Sequence, residues 1–221
     1  VVTHIIGAIH TKEQTVPRPR KITREKTLSR TRQQLLDAAA VEFACDGYVG
    51  ANINRISQAA GFAKGTIYNY FPSKQALMLA LIDGIAAAHV DFILQQVEPE
   101  EDPTRRLERF FSAGFAFVEH RPAQAQVIIN VIYGPDDEFK QRAYQTYDRL
   151  FTLITQDIVE AGVARGDFRA VDPDLTAALL MTIYLGGCSQ LDSEGKIWLD
   201  PGQVAAFILD GLRPRGLLPE D

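Results

Sequence analysis

Residues 52–71 read Asn52-Ile-Asn-Arg-Ile-Ser-Gln-Ala-Ala-Gly-Phe-Ala-Lys-Gly-Thr-Ile-Tyr-Asn-Tyr-Phe71, and this stretch decides the fold. The Asn52 side-chain oxygen can accept a free backbone N–H at a helix start, so a short helix is expected over Ile53–Ala60. Gly61 breaks it, and a second helix is expected from about Lys64 to Tyr70, stopped by Pro72. In such a helix-turn-helix Ile53, Ile56, Ala60, Phe62 and Ile67 pack inward, while Lys64, Thr66, Tyr68, Asn69 and Tyr70 remain available to a major groove.

The composition of the second helix suits DNA for physical reasons. Ala63, Gly65 and Thr66 are small, which lets the helix N-terminus and its positive dipole end approach phosphate. Tyr68 and Tyr70 offer hydroxyl donors, and Asn69 can pair two ways with an adenine edge. Lys74 adds a charge where the next helix begins. Upstream, Leu35, Leu36, Ala39, Ala40 and Phe43 recur at spacings of three and four and mark one face of a helix from Thr31 to Asp46-Gly47. Downstream, Ser73 caps a long helix from Lys74 to about Val97.

These residues, from Thr31-Arg-Gln-Gln-Leu-Leu-Asp-Ala-Ala through Phe43-Ala-Cys-Asp-Gly-Tyr48, Ile56, Ala59-Ala-Gly-Phe-Ala-Lys-Gly-Thr-Ile-Tyr-Asn-Tyr-Phe-Pro-Ser-Lys74 and Leu77, resemble the TetR family of repressors. The resemblance covers roughly a fifth of the chain. It implies that Thr31 and Asn52 contact phosphates from helix starts, that Lys64, Gly65, Thr66 and Asn69 face base edges and backbone, and that Tyr68, Tyr70 and Lys74 bind phosphates. It implies a homodimer on a near-palindromic double-stranded operator, with Gly61 and Phe71 structural. Asn52 stands where the family usually has Ser or Thr, and Ala63 replaces a common Ser. Arg55 occupies a usually acidic position, so no capping box with Asn52 can form, and Glu42 stands at a usually apolar one. The last two departures together suggest a Glu42–Arg55 ion pair.

Charge is divided unevenly along the chain. Residues 1–74 carry 11 Lys/Arg against 5 Asp/Glu, and residues 75–221 carry 12 against 23, so the first third is suited to meet an anion and the remainder is not. Residues 17–26 combine prolines with five basic side chains and read as an extended arm along DNA or a solvated linker. The expected division is thus a basic arm over 1–26, a helix-turn-helix domain over 27–74 and a ligand-sensing, dimerising domain over 75–221. Val1–Ile9 shows no helical periodicity and reads as an extension or tail.

Beyond residue 99 the periodicity stays helical. Helices are expected over Thr104–Glu119, Pro122–Ile132, from after Pro135 to Ala161-Gly162, from Asp172 to Leu185 or Ser189, and over Pro201–Leu212. The fold class is therefore all-α, with about nine helices. The helix after Asp172 is apolar nearly all round. Paired with the last one it offers a dimer interface through Leu179, Ile183, Gly187, Val204, Phe207 and Ile208. Phe92, Phe111, Phe115, Ile129, Tyr133, Tyr147 and Phe151 are the candidate lining of a pocket. As a group they favour an apolar or aromatic effector, with core packing the alternative for each. His89 and His120 are candidates for orienting a ligand.

Several functions are disfavoured. No GxSxG, HExxH, GxGxxG or Walker pattern points to an enzyme, and no spacing calls for a cofactor or metal. Cys45 and Cys188 are too far apart for a zinc or disulfide motif and read as buried free thiols, with thiol sensing by Cys188 the alternative. No apolar run is expected to reach the roughly 20 residues of a membrane span, which reads as a cytoplasmic protein. The alternative to a ligand sensor is a DNA-binding dimer with an architectural or protein-tethering role.

Overall fold

A computed structural model describes residues 21–192 and 195–214. Val1–Ile9 and the first part of the basic arm lie outside the described residues. After Pro19 the chain has no breaker, and Lys21–Lys26 form the first turns of a helix rather than the expected extended segment. This helix, α1 (Lys21–Gly50), is interrupted at Gly47, where φ is +66°. Thr31 is therefore an interior helical position, only 9% exposed, and not a helix start. Its own N–H belongs to the helical ladder, which removes the reason to assign it a phosphate.

Helix α2 (Ile53–Ala59) follows, then a four-residue 3-10 turn, Thr66–Asn69, in place of the longer second helix expected from the sequence. Gly65 precedes that turn with φ of +82°, a left-handed conformation that costs glycine nothing. The long α3 (Lys74–Val97) starts on Ser73, whose side chain accepts from the Ala76 N–H. Then come α4 (Pro103–His120), α5 (Pro122–Tyr133) and α6 (Asp137–Thr152). The last of these continues through a π-helical stretch, Leu153–Glu160, into α7 (Ala161–Arg165), and α8 (Pro173–Cys188) and α9 (Pro201–Leu212) complete the described chain. The fold is all-α, with a single antiparallel bridge, Leu191 to Ile197, as the only β pairing among the described residues.

The glycine signal near 162 misleads. Gly162 sits inside the helix because a Cβ there would fall within the Phe168 ring, and the stop comes at Gly166, whose φ is +79°. Helix α3 also departs from expectation, since by length and composition it is apolar enough to cross a membrane. Its apolar side chains are used inside the protein: Leu77, Ile82, Ile85, Ile93 and Val97 are buried against α1, α4, α5 and α6.

Two apolar cores result. One lies beneath the helix-turn-helix and joins Leu35, Phe43, Ile56 and Phe71 to Leu81 and Ile85 of α3 and to Val127, Ile128 and Val131 of α5. The other fills the bundle, with Phe110, Phe111, Leu150, Ile154, Leu180 and Tyr184 at its centre. Helix α5 contributes to both.

Candidate functional site

The polar face of the head is built from its caps outward. Asn52 Oδ1 accepts from the backbone N–H of Asn54 at 2.9 Å and of Arg55 at 3.4 Å. Its own N–H, which a capping-box acid at position 55 would ordinarily receive, donates instead to Glu42 Oε1 of α1 at 2.7 Å. Arg55 closes the arrangement: its guanidinium lies 2.6 Å from the same Glu42 oxygen and also contacts Asp46. The expected Glu42–Arg55 pair is thus present, and Glu42 supplies from another helix the acceptor that Arg55 cannot. The Glu42 hydrogen bond, with Asp46 adding to it, holds the Arg55 guanidinium above its ordinary pKa.

With α2 fixed, Phe62 N–H reaches Ser57 O at 2.9 Å across the turn. Ile67, 1% exposed, and Phe71, 3% exposed, anchor the 3-10 turn. Lys64, Tyr68 and Asn69 are left exposed, with Thr66 and Gly65 half-buried beside them. Lys64, Thr66, Tyr68 and Asn69 make no side-chain hydrogen bond or ion pair among the described residues, which leaves the polar groups of exposed Lys64, Tyr68 and Asn69 open to a partner. Tyr70 is half-buried and packs against the head core. Lys74 likewise turns inward. Its Nζ donates to Val49 O at 3.0 Å and Ala51 O at 2.8 Å, and sits 5.1 Å from the centre of the Tyr48 ring. Its ammonium holds the end of α1 in place, a role the charge pattern did not reveal.

The second site is a cavity of about 70 Å³ in the bundle. Of the seven residues expected to line it, Ile129 and Tyr147 do so. Phe111 and Phe115 are core residues, the first edge-on to Tyr184 and the second stacked on it, and Phe92 and Phe151 pack half-buried against the same core. Tyr133 is 63% exposed and lines a separate cleft beside Tyr48. The wall is completed by Ile85 and His89 of α3, Phe117 of α4, and Met181, Tyr184 and Cys188 of α8. Tyr184 was hidden in the sequence because it lies on a helix that reads as a dimer face. Its one local sign is Gly114, set in the aromatic row Phe110–Phe117. A Cβ at Gly114 would fall inside the Tyr184 ring, so only glycine leaves room for it.

His89 is the polar centre of this cavity. Its Nδ1 lies 3.0 Å from Tyr147 Oη and its Nε2 2.7 Å from Tyr184 Oη, and its ring stacks on Phe117 at 4.3 Å. Burial pushes its pKa from 6.5 down to about 3, so the ring is neutral. Burial also raises both tyrosines, and it pushes the Cys188 thiol up to about 12. A thiol held protonated in this way is a poor oxidant sensor, and the exposed cysteine is Cys45, contrary to the expectation that both are buried. His120 is exposed, with Nδ1 2.6 Å from Ala116 O, and takes no part in the cavity.

On α8 and α9 the predicted interface residues divide. Leu179, Ile183 and Phe207 are 56%, 39% and 78% exposed. Val204 is half-buried, whereas Gly187 and Ile208 face their own core, Gly187 because a Cβ there would meet Phe115 at 2.7 Å. Leu175, one turn before Leu179, and Trp198 are also exposed and extend the apolar face.

An exposed polar turn presented by a capped helix-turn-helix, ahead of a helical bundle with an internal cavity, defines a DNA-binding regulator. Residues 35–81 match the family described as bacterial regulatory proteins, tetR family. Over 210 residues the chain is 30% identical to the HTH-type transcriptional repressor KstR2 of Mycobacterium tuberculosis, covering 84% of this chain and 94% of that protein. The fold is similar to that of the fatty acid degradation regulator FadR from Bacillus halodurans, with a TM-score of 0.71 and 23% identity over 82% of this chain and 99% of that one. It is also similar to FadR from Bacillus subtilis in complex with stearoyl-CoA, with a TM-score of 0.69 and 18% identity over 80% and 95% of the respective chains. The chain belongs to the tetR family and is a DNA-binding helix-turn-helix repressor of transcription.

Proposed function

We propose that the chain acts as a homodimer that holds a near-palindromic operator and releases it when an apolar or aromatic small molecule occupies the bundle cavity. In this reading Lys64, Gly65, Thr66, Tyr68 and Asn69 meet the duplex and Asn52 presents its helix start to a phosphate. Tyr70, Lys74 and Thr31 support them from within the head. The division into a gripping part over 27–74 and a sensing part over 75–221 belongs to the same proposal. The face formed by Leu175, Leu179, Ile183 and Phe207 would close against a second copy, since large apolar side chains spaced by one turn on an exposed helix mark an interaction surface.

The observation that carries the sensing part is the position of α5. Ala125, Ile128, Ile129 and Ile132 line the cavity, while Val127, Ile128 and Val131 pack into the core beneath α1 and α2. A drug-sized ligand needs several hundred Å³, more than the cavity now offers, so its binding must displace a wall. The displaced wall also supports the head, and α3 runs through both. Ligand binding then favours a dimer geometry whose two turns no longer match successive major grooves, about 34–36 Å apart.

A DNA-binding dimer with no small-molecule sensing requires no ligand-sized cavity, and a cavity of about 70 Å³ is compatible with it. Selecting duplexes that the full protein binds, then screening apolar compounds for release in a gel shift, separates the two. Release by at least one compound supports the sensor, and an operator complex indifferent to every compound supports the alternative.

A further inference from the structure

Within the sensing reading, the hydrogen bonds around His89 restrict what the cavity can hold. A neutral imidazole has one donor and one acceptor. The separations of 2.7 Å from Tyr184 Oη and 3.0 Å from Tyr147 Oη each suit either partner as donor, so the tautomer sets both directions together, and the hydrogen is placed on Nδ1. The pair fits Tyr184 donating to Nε2 and Nδ1–H donating to Tyr147. Tyr147 then accepts from His89 and keeps its own O–H unspent, on a ring that lines the cavity. The remaining wall offers no charged side chain: Ile85, Phe117, Ile129, Met181 and Leu185 are apolar, and Cys188 is a protonated thiol. A carboxylate or ammonium entering here would meet no counter-charge and would lose its hydration. A single oxygen acceptor would meet the waiting Tyr147 donor, the other free hydroxyl of the lining, Tyr144, standing 60% exposed at its outer side.

We propose that the cavity takes an uncharged hydrocarbon body bearing one carbonyl oxygen, and that Tyr147 Oη, set by His89 and Tyr184, donates the hydrogen bond that recognises that oxygen. Tyr147 is the specificity-determining residue, and His89 and Tyr184 are positioning residues. This inference rests on the bundle cavity being the ligand site.

Calorimetric titration of the full protein with three matched probes tests it: acetophenone, α-methylstyrene, which replaces the carbonyl by a methylene of the same shape, and benzoate. Tyr147→Phe keeps the ring and removes the donor. Acetophenone is expected to lose about fivefold in affinity in the variant, the size of one net hydrogen bond, while α-methylstyrene binds both proteins equally. That equality also shows that the variant cavity is intact. Benzoate is expected to bind weakest to both. Equal losses for acetophenone and α-methylstyrene, or tighter binding of benzoate than of acetophenone by the wild-type protein, would overturn the assignment while leaving the cavity a ligand site. Failure of all three probes to bind would overturn the cavity reading itself.

Discussion

The head and the bundle hold their polar groups in opposite ways. In the head the side chains proposed to meet DNA, Lys64, Tyr68 and Asn69, are exposed and unpartnered, and the polar groups behind them are spent on holding backbone in place. Asn52 and Glu42 cap α2, and Lys74 ties down the end of α1. Around the bundle cavity the polar groups are few, with His89 buried and bonded between two tyrosines in an apolar surround. The contrast follows from the partner. A duplex brings water, charge and many contacts, so donors must project, whereas a small apolar molecule offers little to grip and is best read by one polar group in a dry wall.

The largest effect expected is on the bundle. Gly114→Val forces Tyr184 out of its place and breaks the link to His89, and overpacking of this kind costs about 3 kcal/mol. Urea unfolding should show that loss, and a variant as stable as the wild type would mean that Tyr184 has room elsewhere.

A pH series comes next. Folded His89 resists protonation down to about pH 3, while the unfolded chain takes up the proton near 6.5. The stability this residue contributes is present above 6.5 and is lost as pH falls toward 3. Between pH 7.5 and 5 the wild-type protein should lose about 2 kcal/mol more than His89→Gln, measured by urea unfolding at each pH. Parallel pH curves for the two proteins would show that His89 is not held neutral.

In the head, Lys74→Met strands the Val49 and Ala51 carbonyls and should cost about 1.5 kcal/mol of thermal stability. A variant that keeps its melting temperature yet loses DNA affinity with a shallower salt dependence would restore the phosphate role that the family resemblance implies. The smallest effect concerns the borrowed cap. Glu42→Ala removes the acceptor for Asn52 N–H and should cost about 1 kcal/mol. Adding Arg55→Glu to it rebuilds an acid within α2 itself and should recover most of that loss.

How much was legible in the sequence follows the same contrast. Helix starts such as Asn52, Ser73 and Asp172 were readable because a cap is a local event between residues two or three apart. The outward row Lys64–Asn69 was readable because turn and anchor residues lie within the same twenty positions. The inward turn of Lys74 was not, since its acceptors lie 23 and 25 residues away. The His89 cluster joins residues 58 and 95 apart. Aromatic content could point to the bundle but could not say that Phe111 and Phe115 fill the core while Tyr184 reaches the cavity. Gly162, a stop by type, proved to be a seat for Phe168, which only packing could show.

If one exposed turn grips DNA while the bundle cavity governs release, fluorescence anisotropy on one selected duplex separates the two roles. Wild-type protein, Asn69→Ala and Tyr147→Phe would be titrated at fixed salt. Asn69→Ala should weaken binding about tenfold through the loss of a base contact, and Tyr147→Phe should bind as the wild type does in the absence of ligand. Unchanged affinity for Asn69→Ala, with DNA binding lost in Tyr147→Phe at wild-type stability, would contradict this division of roles.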